Sequence, residues 1–203
     1  MAEGNNPGED KAWEILSIRN PEEVCRAASI AYDAAAGIYR VTSFNMEVAV
    51  DVKNRAITSS APGSEVLLKR LSYFFKLSAL WYLVSAKDID CTGRPVKLDH
   101  VKGGDAFTRG SHVLPLEGIA NKYGRNKEGF VEKGKQLGGV LVKNGDVSIR
   151  FSPLPRVPVT LTLWLEDEEF PARVDLLFDS TCELQIPTDI IWSIAMMTAL
   201  IIL

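Results

Sequence analysis

Residues 153–180 read PLPRVPVTLTLWLEDEEFPARVDLLFDS, and their pattern decides the fold. Val157, Val159, Leu161 and Leu163 alternate with Pro158, Thr160, Thr162 and Trp164, the period-two mark of a strand with one buried face. Ala172 to Phe178 forms a second such run, and the acidic turn Glu166 to Pro171 joins the two. Immediately upstream, GVLVKNGDVSIRFS alternates around Lys143-Asn144-Gly145-Asp146. Asn-Gly supplies the positive φ of a type I′ hairpin turn. The C-terminal half therefore predicts an antiparallel sheet.

The same alternation appears nearer the N-terminus. IYRVTSF, MEVAVDV and RAITSS, between Ile38 and Ser59, predict a three-stranded meander with turns at Asn45 and Lys53-Asn54. Helical spacing takes over elsewhere. Asp10 to Ile18 predicts a short helix with Trp13 and Leu16 inward. Asn20 as cap, Pro21 at the first position and the acidic pair Glu22-Glu23 open a helix expected to run through the alanines to Gly37. Val66, Leu67, Leu71, Phe74, Phe75, Leu80, Trp81 and Val84 recur along a long central helix from Gly63 to Ala86. Two short helices follow, Pro115 to Tyr123 and Asn126 to Leu137, and a last one spans Pro187 to Leu203. Residues 88–113 have weak periodicity and predict an irregular segment with one helical turn near Asp105 to Thr108. Residues 1–8 predict a tail, and 9–203 one α+β domain with an antiparallel sheet packed on the central and C-terminal helices.

Composition narrows the function classes. The chain has 203 residues, is 46% hydrophobic and 24% charged, and carries a net charge of −3, which argues against wholesale nucleic-acid binding. The charge is unevenly spread. Residues 94–156 carry 12 basic and 6 acidic side chains, whereas residues 157–203 carry 1 basic and 8 acidic. Such a pattern predicts internal pairing or two faces of opposite sign. Cys25, Cys91 and Cys182 are odd in number and contain no Cys-x-x-Cys pair, so neither a disulfide framework nor a thiolate metal site is signalled. With no secretory h-region at the N-terminus, the expected compartment is the cytoplasm.

An ordered set of landmarks resembles an uncharacterised prokaryotic family, domain of unknown function 3786. The set comprises Gly37 and Tyr39 at the start of the meander, Tyr82-Leu83, Thr92-Gly93, Gly103-Gly104, Leu137-Gly138-Gly139, and above all LPRVPVTLTLW, DEEFPA, LLFDST and IPTD. It covers the chain from about Ile30 onward. The resemblance implies a setting in anaerobic redox or one-carbon metabolism, beside corrinoid-linked or iron–sulfur methyl-transfer proteins, with a corrinoid or other tetrapyrrole among the implied cofactors. It supplies no catalytic residues, and this chain has no cysteine motif for an iron–sulfur cluster of its own. Where a His-Tyr-Leu is expected on the long helix, this chain has Trp81-Tyr82-Leu83.

Two constellations carry possible chemistry, both in the glycine-rich segment. Arg94, Lys97, Lys102 and Arg109 stand among Gly103, Gly104 and Gly110, and exposed backbone N–H groups with cationic side chains hold anions. This is the basis for expecting an anionic ligand, with no Walker or Rossmann fingerprint present. His100, His112 and Asp99 form the alternative, a two-histidine, one-carboxylate metal site for a small metal-dependent enzyme. The acidic turn Glu166 to Glu169 reads as a solvated turn, and Asp179 as the cap of the turn that follows it.

The C-terminal segment from Ile190 to Leu203 has no charge. It falls short of the ~20 residues that span a bilayer, so it predicts a core helix or an oligomer interface, a membrane-associated interaction module being the alternative. Trp192, Ala195, Met196, Ala199 and Leu200 are expected inward. Ile191, Ile194 and Ile201 would then need cover from a second subunit, giving a homodimer through Pro187–Leu203.

Overall fold

The computed structural model describes residues 7–102, 104 and 113–203. Two helices open the chain, α1 (Pro7–Ser17) and α2 (Pro21–Ala28). Trp13 and Leu16 are buried as their spacing requires. The Asn20 side chain accepts the Glu22 N–H at 2.9 Å, so the cap read from sequence is formed. The helix stops sooner than the alanine run suggests. Ser29 takes a left-handed conformation at φ 53°, and the next residues pair as a strand. Ala34 to Ala36 become a turn in which the Asp33 carboxylate accepts the Ala36 N–H. Strand pairing has overridden helix propensity here.

A meander of four strands follows: β1 (Ala31–Asp33), β2 (Ile38–Ser43), β3 (Met46–Asp51) and β4 (Ala56–Thr58), all antiparallel neighbours. The central helix begins as a single wide turn, Val66–Arg70, in which the Leu71 N–H reaches back to the Val66 carbonyl. It then continues as α3 (Ser72–Ser85). The segment expected to be irregular holds a short strand, β5 (Pro95–Lys97), and one tight turn, Leu98–His100. The helical turn expected near residues 105–108 lies outside the described residues. Next come α4 (Leu116–Tyr123), α5 (Lys127–Gln136), β6 (Val140–Val142), β7 (Val147–Leu154), β8 (Val157–Trp164), β9 (Arg173–Asp179), the short α6 (Cys182–Gln185) and α7 (Thr188–Ile202).

The second sheet has five strands in the order β5-β9-β8-β7-β6, all antiparallel. The architecture is α+β, with two antiparallel sheets among the described residues. Val159, Leu161, Leu163, Leu176 and Phe178 point inward, and α4 and α5 cover that face. The sheets meet where the Phe44 N–H donates to the Ser152 carbonyl at 3.0 Å and the Phe44 ring packs on Phe151. Gly145 has φ +53° but Asn144 does not take positive φ, so Lys143 to Asp146 form a four-residue connection and not the two-residue type I′ turn that Asn-Gly favours.

α7 corrects the sequence reading of its faces. Ile191 and Ile194 are 0% exposed and Ile201 is 1% exposed, all within this one chain. Trp192, Met196 and Leu200, expected inward, form the partly exposed stripe, with the Trp192 ring edge-on to Phe74. The helix packs against α3, α4, α5 and α6. The isoleucine face is covered by the chain itself, so the observation that motivated a partner there is gone. The other end of the problem, the unpaired carbonyls of the last turn, is also solved internally. Arg70 donates to the Leu200 carbonyl, Tyr123 to Ile202, and Lys122 to Leu203. Among the described residues no helix is long and apolar enough to cross a membrane.

Candidate functional site

The outward face of the five-stranded sheet is polar because its strands alternate. Registers place Lys97, Leu177, Thr160, Arg150 and Val140 in one row across the five strands. An open groove of about 500 Å³ lies over this face. One bank carries Cys91, Gly93 and Arg94; the other carries Val142, Lys143, Asn144 and Arg150. Pro158, Thr160 and Leu177 lie in the floor. This volume falls within the range of small-molecule sites.

The first bank is held by one carboxylate. Asp179 is 6% exposed at the end of β9. Its Oδ1 accepts the Thr92 N–H at 3.1 Å, the Thr92 hydroxyl at 3.2 Å, the Thr181 N–H at 3.0 Å and the Thr181 hydroxyl at 2.8 Å. Its Oδ2 accepts the Gly93 N–H at 2.6 Å. Burial pushes this carboxyl up, but the bonds from Thr181, Thr92 and Gly93 outweigh it and hold it below the usual carboxylate range. Asp179 caps the following turn as the sequence predicted, and it also positions the Thr92-Gly93 step that carries Arg94. Thr92-Gly93 and LLFDST, distant in sequence, are thus one structural unit.

A second knot lies behind the groove. The Tyr82 hydroxyl donates to the Ala28 carbonyl at 2.7 Å and accepts the Arg156 N–H at 3.0 Å. The Arg156 guanidinium pairs with Asp88 and Asp90. LPRVPV therefore uses its arginine to clamp α2, α3 and the loop before β5. Cys91 sits beside this knot, its Sγ 3.7 Å from the Arg156 carbonyl. Burial and the nearby Asp179 charge push its thiol up, so it is not an activated nucleophile.

The anion-site residues expected from sequence separate. Arg94 lines the groove. Lys97 lies 3.7 Å from Asp175 and borders a smaller cleft of about 230 Å³ with Leu98, Asp99 and Leu116. Lys102 contributes its backbone, donating its N–H to Glu183 and accepting from the Thr188 hydroxyl. Gly104 is a close-approach residue: a Cβ there would stand 1.8 Å from the Leu98 carbonyl oxygen. Gly103 and Arg109 lie outside the described residues. So does His112, the second of the expected metal ligands. His100 is exposed, 4.0 Å from Asp99. Among the described residues no group of three His, Cys, Asp or Glu side chains is placed to hold a metal.

Sequence reasoning missed Lys143 and Arg150. They come from the β6–β7 hairpin, which was read for its turn and not for its face. Part of the sequence's charge asymmetry is consumed by internal pairs, Lys97–Asp175 and Arg125–Glu166. Arg94, Lys143 and Arg150 have no carboxylate partner among the described residues. The acidic turn behaves as solvated loop, with Asp167 accepting the Glu169 and Phe170 N–H groups.

In comparison with known proteins, a family model matches residues 20–200, and its description is a domain of unknown function (DUF3786). No curated protein and no solved structure matches the chain.

Proposed function

The chain belongs to the DUF3786 family, and from that premise we propose that it is a non-catalytic, cytoplasmic ligand-binding or accessory protein whose groove takes an anionic small molecule. The observation that supports this reading is the set of three exposed cations, Arg94, Lys143 and Arg150, that have no carboxylate partner among the described residues and surround one groove. A fold that pairs or caps with Lys97, Lys122, Arg125 and Arg156 leaves these three facing solvent over a floor of Pro158, Thr160 and Leu177. Unpaired guanidinium groups bind carboxylate and phosphate in bidentate geometry.

The resemblance drawn from the sequence landmarks suggests the metabolic setting. An anionic cofactor of anaerobic one-carbon or redox metabolism is the ligand class that follows, with corrinoid or iron–sulfur methyl-transfer proteins as partners. The test is thermal denaturation of the purified chain with phosphate- and carboxylate-bearing cofactors, cobalamin and haem included. A ligand present at 100 times its dissociation constant adds about 2.7 kcal/mol to the native state. The shift should vanish in an Arg94→Ala, Arg150→Ala double variant. An unchanged melting temperature with every anion would remove the ligand reading and leave a protein-interaction role.

A further inference from the structure

The groove's cations do not sit together. Arg94 immediately precedes β5, an edge strand, and Arg150 lies on β7, with β9 and β8 between them. Three strand spacings at ~4.8 Å each, combined with an offset of three residues along the strands because Lys97 and not Arg94 shares the row of Arg150, put their backbones about 17 Å apart. Lys143, in the β6–β7 turn, reinforces the Arg150 bank. Among the described residues, the floor between the banks carries Pro158, Leu177 and the Thr160 hydroxyl and no cation. Asp179 lines the same groove as Arg94, and both of its oxygens are already occupied by five donors from Thr92, Gly93 and Thr181. Arg94 is thereby left available to a ligand.

We infer that the groove takes an elongated ligand with an apolar body and an acid group at each end, one for Arg94 and one for Arg150 with Lys143. This rests on the reading of the groove as a ligand site and narrows it to a chemical class. A single small anion satisfies one bank and leaves the other bank's cation without a partner. A molecule with two separated acids neutralises both banks and covers Pro158 and Leu177, so its binding energy has a hydrophobic part and two charge-assisted parts.

The experiment is calorimetric titration of the full chain with decanedioate, decanoate, succinate and inorganic phosphate at one moderate ionic strength. The diacid with the long apolar body should bind about tenfold or more tighter than the monoacid of the same length, the difference one charge-assisted contact makes. Arg94→Ala and Arg150→Ala should each bring decanedioate down to the level of decanoate, while leaving decanoate within about threefold because it can use the surviving bank. Circular dichroism and melting temperature of each variant establish that the fold is retained. Equal affinity for decanedioate and decanoate would overturn the two-acid inference and leave the anion groove standing. Succinate or phosphate binding as tightly as decanedioate would also overturn it, because the cations would then converge on one anion. No binding by any of the four probes would remove the groove as an anion site and the inference with it.

Discussion

Two regions of this molecule are rich in positive charge, and they use it in opposite ways. At the C-terminal end of α7, Arg70, Lys122 and the Tyr123 hydroxyl each donate to a carbonyl of the last turn. On the outer face of the larger sheet, Arg94, Lys143 and Arg150 surround a groove and meet no carboxylate among the described residues. The first set completes the fold, because carbonyls left unpaired at a buried helix end would cost stability. The second set does nothing for the fold that the structure reveals. The difference separates cations whose loss should be felt in stability from cations whose loss should be felt in binding.

The largest effect is expected from a charge placed where the fold has no room for one. Ile194 is 0% exposed inside α7. Ile194→Lys should destabilise by about 4 kcal/mol or more, the scale of an unpaired buried charge. Chemical denaturation of the variant should find it largely unfolded. A folded variant that has merely lost association would restore the interface reading of this helix.

Asp179→Ala comes next. It strips five donors of their acceptor on the groove bank, and a loss of about 2–4 kcal/mol is expected from denaturant titration. The pH dependence has a definite sign. The folded carboxyl lies below its ordinary value of about 3.9, so its contribution is complete above that pH and is lost as pH falls through the lower folded value. The stability gap between wild type and Asp179→Asn should therefore narrow below about pH 4. A gap that widened in acid would contradict the hydrogen-bond network described.

Smaller effects should follow at the helix end. Tyr123→Phe removes the donor to the Ile202 carbonyl and should cost about 1–2 kcal/mol, because both groups are buried. Arg70→Ala, more exposed, should cost about 0.5–1 kcal/mol. The smallest stability changes belong to the groove. Arg94→Ala and Arg150→Ala should each shift stability by no more than about 0.5 kcal/mol, as exposed unpaired residues do. A loss of 2 kcal/mol or more at either, measured in the same denaturation series, would show a structural partner and erase the contrast between the two regions.

Local sequence was sufficient for much of this. The period-two runs of β7, β8 and β9, the Asn-Gly hairpin, the Asn20 cap and the α+β class depend on neighbours a few residues apart, and the structure has them within a residue or two. It was insufficient for β1, where Ala31 to Asp33, inside the expected helix, paired with β2 and the alanines Ala34 to Ala36 became the turn between the two strands. It was insufficient for the faces of α7, since a helix apolar all round presents no polar side to orient it. The candidate site was half legible. Arg94 and Asp179 drew notice as residues, but their union through Thr92-Gly93 spans more than 80 positions. Lys143 and Arg150 joined Arg94 because β5 pairs with β9, three strands from the hairpin. Backbone pattern is a local property of the chain, whereas which charges are paired and which face solvent depends on contacts between distant segments, and only the folded chain decides those.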